Sequence, residues 1–278
     1  MTLREAAALL GEAKIPDAMM EARLLFSRVG GFSDAALYGN DPFLEDEKIL
    51  PLVRRRAAHE PMAYILGEWG FYRETYFVNS DVLIPREDTE ILVDYAVKHL
   101  PEGGRFADLC TGSGCIALSV LNNTKETTAL AVDLSESALS VARKNAERLH
   151  LSERVCFRRA DVLSESFLSE LSAEGALCAV LCNPPYIPEE VFRTLAPEIF
   201  YEPESAFVGA EGGMIFYRIL LPHLLRVVGE SGFVAFEIGY DQGARMLALA
   251  EAEGAQIEIL SDLSGNARVA VLKQRRGH

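Results

Sequence analysis

Apolar residues in the first part of the chain recur at the spacing of helices rather than strands. Leu3, Ala7 and Leu10 form one such set, and two further sets follow before residue 54. A repeat of three to four positions places its apolar residues on one face of a helix, whereas a strand would alternate them. The pattern predicts a small all-helical domain over residues 1–68.

The next segment has a different pattern. Residues 69–79 are aromatic and β-branched on both sides of the polar pair Arg73-Glu74. Two short runs of this kind around a polar centre predict a β-hairpin. We therefore expect a hairpin linker over residues 69–86, between the helical domain and a larger domain over residues 87–278.

Helical and strand patterns alternate through the rest of the chain. The predicted strands are 105–109, 128–132, 155–159, 177–182, 233–238, 256–260 and 268–273. The predicted helices are 89–100, one that begins at Cys115, 135–149, 214–228 and 242–253. This alternation is typical of a doubly wound α/β sheet. The turn between the last two strands is too short for a crossover helix, so we expect an antiparallel edge strand there.

Composition and charge narrow the possible partners. The formal net charge is −14, which disfavours binding to duplex DNA because that binding depends on neutralising phosphates. No apolar run reaches the roughly 18 to 20 residues of a membrane helix. The five cysteines include no C-x-x-C pair, which disfavours a zinc knuckle or disulfide framework and favours the reducing cytoplasm. We expect a cytoplasmic protein with no direct contact to nucleic acid or membrane.

A glycine-rich loop follows the first predicted strand of the larger domain. Gly112 and Gly114 allow a sharp turn and a close approach of the backbone to a ligand. Parallel sheets bind ligands at the carboxyl ends of their strands. Asp133 ends the second strand, where it could accept two ribose hydroxyls, and Asp161 and Val162 end the third, where they could meet an adenine edge.

This loop predicts a nucleoside site but does not identify the nucleoside. The run from Gly112 to Ala117 fits G-x-G-x-x-A, and with Asp133 it also matches the dinucleotide fingerprint. NAD and S-adenosylmethionine both remain compatible with it. The remaining interpretation of the loop is a tight turn between a strand and a helix that binds no ligand.

The tetrapeptide Asn183-Pro184-Pro185-Tyr186 follows the fourth predicted strand directly. The two prolines restrict the backbone, so the Asn183 side chain and the Pro184 carbonyl can act as fixed acceptors for a conjugated NH2 group. Tyr186 could stack on the planar group. Alignment and electrostatic stabilisation would then supply most of the rate. The motif predicts methyl transfer to a planar amide or amine nitrogen.

The motifs together resemble those of class I methyltransferases that modify exocyclic or amide nitrogens. Further segments narrow the resemblance to the HemK/PrmC family of peptide chain release factor glutamine methyltransferases. These segments are 70–78, 82–90, 183–188, 202–203 and 212–218.

The resemblance implies an activity and a set of site residues. The expected activity is transfer of a methyl group from S-adenosylmethionine to the side-chain N5 of the glutamine in the Gly-Gly-Gln loop of class I release factors. S-adenosylhomocysteine would be the product, no metal is expected, and the protein would be a monomer. The expected cofactor contacts are Asp108, Cys110, Thr111, Gly112, Ser113, Gly114, Asp133, Asp161, Val162 and Asn183. The expected catalytic residues are Asn183, Pro184, Pro185 and Tyr186.

Three residues depart from the family pattern. Cys110 stands where the family has glycine, Glu87 where it has proline, and Val162 where an aromatic residue is frequent. Three alternative functions remain at this point. They are an adenine N6 methyltransferase acting on nucleic acid, an NAD-dependent oxidoreductase, and a non-catalytic binding protein.

Overall fold

The computed structural model describes residues 1–275, so residues 276–278 of the predicted larger domain lie outside the described residues. The chain forms two compact units. One unit comprises Met1–Trp69 and Ala196–Glu202, and the other comprises Gly70–Leu195 and the chain from Pro203 onward.

The first unit is helical, as its apolar spacing predicts. Its helices are α1 (Leu3–Glu12), α2 (Ala18–Gly30), α3 (Asp34–Gly39), α4 (Asp46–Ala57) and α5 (Met62–Leu66). Leu10, Leu25, Phe26 and Ile49 are fully buried and form the centre of its core. Thr2 caps α1 in a reciprocal capping box, which satisfies backbone donors that have no partner within the helix.

A distant loop segment completes this unit. Glu198 lies 3.3 Å from a guanidinium nitrogen of Arg56 and 3.3 Å from Nδ1 of His59. The Arg56 side chain is buried and also pairs with Glu21 at 3.0 Å. Tyr201 donates a hydrogen bond of 2.7 Å to the Ala58 carbonyl. Removal of either glutamate would leave a buried guanidinium less well compensated, which is destabilising.

A two-stranded hairpin begins at Glu68, one residue before the predicted linker, and ends at Phe77. Its strands are β1 (Glu68–Phe71) and β2 (Glu74–Phe77). Tyr72, at the turn, has φ +58°, and its backbone N–H donates to the Glu90 carboxylate at 2.6 Å. The side chain of Asn145 pairs with both backbone groups of Phe77, at 2.7 and 3.0 Å. The end of β2 is therefore tied to the helix that carries Asn145.

The second unit contains the predicted sheet. Its described strands are β3 (Arg105–Leu109), β4 (Thr128–Asp133), β5 (Val155–Arg159), β6 (Leu177–Cys182), β7 (Val228–Glu237), β8 (Ala255–Ser261) and β9 (Ala267–Gln274). Their order is β5-β4-β3-β6-β7-β9-β8. The first five run parallel, and β9 pairs antiparallel with both β7 and β8. The antiparallel edge is confirmed, with the reversed strand inserted beside the outermost one.

The second unit also contains eight α-helices within the described residues. They are α6 (Glu90–His99), α7 (Cys115–Asn122), α8 (Glu136–Arg148), α9 (Glu165–Ala173), α10 (Glu189–Phe192), α11 (Ala210–Gly213), α12 (Ile215–Val227) and α13 (Gly243–Ala252). Helix α7 contacts both α6 and α8, and α9 contacts α12. No helix within residues 1–275 is long and apolar enough to span a membrane.

Three α-helices of the second unit were missing from the sequence prediction: α9 and the short helices α10 and α11. The α9 helix begins after Ser164, whose hydroxyl accepts from the Phe167 backbone N–H at 3.3 Å. Phe167, Leu168 and Leu171 are buried. A serine cap followed by apolar residues at this spacing is the signal that could have revealed the helix.

Candidate active site

The glycine-rich loop connects β3 to α7 through backbone angles that favour glycine. Gly112 has φ +55° and Gly114 has φ +81°. A Cβ on Gly114 would lie 3.1 Å from Leu118 and 3.2 Å from Ala142, whereas one on Gly112 would meet nothing within 4 Å. Gly114 therefore allows α7 and α8 to pack closely, and Gly112 leaves open space above the loop.

Cys110 shares the left-handed conformation. Its φ is +61°, so the family's glycine at this position is explained by backbone geometry. A residue with a Cβ costs roughly 1–2 kcal/mol in this region. The chain thus holds a cysteine where the loop geometry favours glycine.

Asp108 anchors the loop from below. Its carboxylate is fully buried and accepts from the Thr111 hydroxyl at 2.6 Å and from the Ala117 backbone N–H at 3.1 Å. Its other oxygen has no hydrogen-bond partner within the described residues. Burial raises the pKa of Asp108 to about 7, because the charged form loses its hydration.

Asp133 joins the loop to the start of α8. One carboxylate oxygen accepts from the Gly112 backbone N–H and the other from that of Ser135, both at 2.9 Å. Burial raises the pKa of Asp133, while these backbone hydrogen bonds act in the opposite direction. Each oxygen has more than one acceptor position, so the carboxylate can also receive hydroxyl donors from a ligand.

A cavity of about 320 Å³ lies over these residues. That volume is at the lower end of the range for small-molecule sites. Nine predicted site residues line the cavity: Cys110, Thr111, Gly112, Ser113, Asp133, Asp161, Val162, Asn183 and Pro185. Four predicted site residues do not line it: Asp108, Gly114, Pro184 and Tyr186.

The cavity wall also includes residues that the sequence interpretation did not assign to the site. They include Val82, Pro85, Arg86, Thr89, Leu134 and Phe216. The run 82–90 contributed to the family resemblance, and that was the available signal. No group of three or more His, Cys, Asp or Glu side chains suited to a metal ion occurs within residues 1–275.

The backbone of the Asn-Pro-Pro-Tyr motif lies against two glycines. A Cβ on Gly209 would lie 2.3 Å from the Pro185 carbonyl oxygen, and one on Gly213 would lie 1.9 Å from the Tyr186 carbonyl oxygen. Gln242 donates to that Tyr186 oxygen at 3.2 Å. The motif is therefore held by direct backbone packing that no side chain could enter.

The side chains of the motif converge on one buried carboxylate. The Asn183 amide nitrogen lies 3.4 Å from the Thr89 hydroxyl, which in turn donates to Glu237 Oε2 at 2.5 Å. The Tyr186 hydroxyl donates to Glu237 Oε1 at 3.1 Å. Glu237 is 3% exposed, and burial raises its pKa to about 7. Burial also raises the pKa of Tyr186.

The sheet order, the glycine loop and the motif after β6 define a class I methyltransferase domain. The family model described as Methyltransferase small domain matches residues 87–216, and that described as PrmC N-terminal domain matches residues 2–67. The solved hMettl16 catalytic domain superposes with a TM-score of 0.54, at 15% identity over 72% of this chain and 74% of that one. This last likeness concerns the fold alone.

Relatives that align over most of the chain identify the family. A release factor glutamine methyltransferase of Caulobacter vibrioides is 38% identical over 94% of this chain and 91% of its own length. A release factor glutamine methyltransferase of Neisseria gonorrhoeae is 35% identical over 95% of this chain and 96% of its own length. The chain belongs to the family of release factor glutamine methyltransferases. The oxidoreductase and binding-protein alternatives lose their support, and no observation favours the adenine N6 alternative.

Replacing Gly213 should destabilise the second unit. Gly213→Ala would place a Cβ within 1.9 Å of the Tyr186 carbonyl oxygen at a φ of +79°. We expect a loss of at least about 3 kcal/mol in the free energy of unfolding, because clash and backbone strain add. Chemical denaturation measures it.

Gly254→Ala is the matched control, because Gly254 also has a positive φ but open space around it. It should cost only about 1 kcal/mol, the strain of the left-handed region. Equal losses in the two variants would contradict the close packing described for the motif.

Proposed function

We propose that this chain transfers a methyl group from S-adenosylmethionine to the side-chain N5 of the glutamine in the Gly-Gly-Gln loop of class I release factors. The proposal places this activity in the cytoplasm. The observation that carries it is that Asn183 and Asp133 line one cavity at the carboxyl ends of parallel strands. The names of the relatives supply the substrate class.

The residues around the cavity fit the cofactor. Asp133 offers a carboxylate for the ribose hydroxyls, and the open space above Gly112 allows a close approach. Val162 and Leu134 give an apolar wall for a planar base. The bound cofactor would supply a methyl group made electrophilic by a sulfonium. We assign no metal to the reaction.

The motif would hold the glutamine side chain by its nitrogen. Asn183 Oδ1 and the Pro184 carbonyl would accept the two N–H bonds of the substrate amide, which directs the nitrogen toward the methyl group. The N–C bond would form as the S–C bond of the cofactor breaks with its electron pair passing to sulfur, and the nitrogen would then lose one proton to solvent. These acceptors stabilise the positive charge that develops on nitrogen, so no strong base is needed before transfer.

For Tyr186 we propose a supporting role in place of the stacking role expected from the sequence. Its hydroxyl is engaged by Glu237, and it does not line the cavity. We propose that it supports the motif rather than covers the substrate. Pro184 and Pro185 would keep the backbone of the motif rigid.

The helical unit is proposed to recognise the release factor. Exposed large apolar side chains are frequent on it, among them Met20, Tyr38 and Phe43, which are 56%, 60% and 62% exposed. Aromatic side chains are enriched at protein interfaces. The predicted boundaries, residues 1–68 for recognition and 69–86 for the linker, are retained in this proposal.

Asp133 should dominate the polar recognition of the cofactor. Asp133→Ala should weaken S-adenosylmethionine binding by roughly 1.5 to 3 kcal/mol, the range for hydrogen bonds to a charged group. Isothermal calorimetry measures this directly. Because Asp133 also accepts two backbone N–H groups, the titration must be done below the melting temperature of the variant.

Glu251→Ala, at an exposed carboxylate on α13, is the control and should bind normally. In the unsubstituted protein, S-adenosylmethionine should raise the melting temperature and NAD should not. A ligand at a hundredfold excess over its Kd stabilises by about 2.7 kcal/mol. Normal affinity in Asp133→Ala would place the ribose elsewhere.

Asn183 should be essential for transfer. Asn183→Ala should lower kcat on the order of 10² to 10³-fold, by analogy with the removal of one positioned polar group. Asn183→Asp should also lose activity, since it retains the shape but removes the amide donor to Thr89. Labelled cofactor, purified release factor and peptide mass mapping give both rate and position.

A release factor with Gln→Glu in the Gly-Gly-Gln loop is the substrate control, and it should accept no methyl group because the nitrogen is gone. Methylation of that glutamine at the normal rate by both Asn183 variants would refute the amide clamp. Methylation of the Gln→Glu release factor would refute the assigned position.

The exposed aromatics of the helical unit should affect recognition only. Tyr38→Ser and Phe43→Ser together should raise KM for intact release factor by roughly 30-fold, if they form a binding hot spot of about 2 kcal/mol. The kcat and the cofactor affinity should remain unchanged. Steady-state kinetics with intact release factor measure both parameters.

Leu263→Ser is the control, because Leu263 is fully exposed on the second unit. It should leave KM unchanged. The recognition role fails when the two aromatic substitutions leave KM at the normal value, or when the Leu263 control raises it equally.

A further inference from the structure

Glu237 is a buried carboxylate that the proposed chemistry does not use. It ends β7 and is 3% exposed, and its two side-chain hydrogen bonds come from the hydroxyls of Thr89 and Tyr186. Burying a carboxylate costs free energy unless its acceptors are satisfied. Thr89 is 148 positions away in the sequence, so the contact is made by tertiary folding. A carboxylate buried at this cost in free energy is expected to have a functional role.

The hydrogen bonds around Glu237 have a fixed direction. When Glu237 is ionised, its carboxylate only accepts, so the Thr89 hydroxyl then donates its single proton to Oε2. Toward Asn183 the same hydroxyl can then only accept. The Asn183 atom beside it must therefore be the amide nitrogen, which lies 3.4 Å away.

This direction decides which face of the Asn183 amide meets the substrate. With its nitrogen turned to Thr89, the carboxamide presents Oδ1 on its other side. A glutamine NH2 needs an acceptor at that place. The opposite orientation would present a second NH2 group, and the two sets of donors would repel each other.

We propose that Glu237, acting through the Thr89 hydroxyl, is the positioning residue that turns the Asn183 oxygen toward the substrate nitrogen. This inference rests on the proposed function, because it assigns the origin of the acceptor that the methylation uses. Glu237 holds the Tyr186 hydroxyl at the same time. One carboxylate thus fixes both ends of the Asn-Pro-Pro-Tyr motif.

Burial and the groups around Glu237 determine the pH at which its carboxyl group is ionised. Burial raises its pKa to about 7, the hydrogen bonds from Thr89 and Tyr186 lower the pKa, Asp88 raises it and Arg268 lowers it. Arg268 is itself paired with Asp88 at 3.1 Å and with Asp262 at 2.9 Å. Two further titratable groups that Glu237 influences, Cys115 and Tyr217, have pKa values raised mainly by burial. Loss of the Thr89 hydroxyl should therefore raise the pKa of Glu237.

The kinetic test compares Thr89→Val with Thr89→Ser. Valine has the shape of threonine without the hydroxyl, and it should lower kcat about 10- to 100-fold, the scale of a misplaced reacting group. Thr89→Ser should recover most of that loss. Glu237→Gln should also lower kcat, and the double variant Thr89→Val/Glu237→Gln should fall no further than the lower single variant, because both changes break one chain.

Several kinetic results would overturn the inference. They are a normal kcat in Thr89→Val, equal losses in the valine and serine variants, or losses that multiply in the double variant. Since Thr89 lines the cavity, cofactor affinity is measured for each variant so that kcat is compared at saturation. Thermal melting of each variant separates loss of fold from loss of alignment.

A titration that needs no substrate separates this inference from the proposed function. The Glu237 carboxyl signal is followed by NMR in protein labelled with ¹³C-glutamate, and it is assigned by its absence in Glu237→Gln. Its pKa should rise in Thr89→Val and stay near the normal value in Thr89→Ser. An unchanged Glu237 pKa in Thr89→Val overturns the proposed hydrogen-bond chain from Glu237 through Thr89 to Asn183. Failure of the unsubstituted protein to methylate release factor overturns the proposed function. The titration still tests whether the hydrogen-bond chain exists.

Discussion

The parallel register of β3 with its two neighbours determines where the functional groups lie. Leu109 is paired with Val132 of β4 on one side and with Cys182 of β6 on the other. The residues that follow these three positions lie at one edge of the sheet, because the carboxyl ends of neighbouring parallel strands meet there. The glycine loop, Asp133 and Asn183 consequently face one cavity, although the loop and Asn183 are about 70 positions apart in the chain. A change of register would separate the proposed cofactor site from the proposed substrate site.

Carboxylates at or near the strand ends organise this edge of the sheet, two of them buried and Asp133 partly buried. Asp108, Asp133 and Glu237 each end or nearly end a strand, and each accepts from backbone N–H groups or hydroxyls. Because an ionised carboxylate accepts only, each one imposes a direction on the groups around it. Burial raises the pKa of all three. The same acceptors that define the geometry therefore titrate nearer to neutral pH than ordinary carboxyl groups.

The sequence predicts those parts of the site that are local in the chain. Gly112 and Asp133 stand beside predicted strands, and the Asn-Pro-Pro-Tyr motif is contiguous, so spacing alone indicates them. Thr89 and Glu237 could not be found in this way, since their contact joins the start of α6 to the end of β7. Gly213 is similar: its requirement for glycine arises from the Tyr186 carbonyl, which only the folded chain brings near. The register of the sheet is the information that spacing lacks.

Local geometry accommodates the departures from the family pattern at Glu87 and Cys110, and nothing in the structure explains the absence of an aromatic residue at position 162. Glu87 starts a 3-10 turn over Glu87–Thr89, where an acidic residue is favoured by the free N–H groups, so the proline is not required. Val162 is 4% exposed and contributes an apolar surface to the cavity, although without an aromatic ring.

Cys110 carries a real conformational cost, and its neighbours explain how the loop tolerates it. The Thr111 backbone N–H donates to the Val132 carbonyl at 3.0 Å, and the Thr111 hydroxyl donates to Asp108 at 2.6 Å. Both bonds fix the residue that follows Cys110, while β3 fixes the residue before it. A conformation costing roughly 1–2 kcal/mol persists when the surrounding contacts determine it. Asp108 and the sheet thus impose the geometry of the loop, and Cys110 adopts the left-handed conformation that this geometry requires.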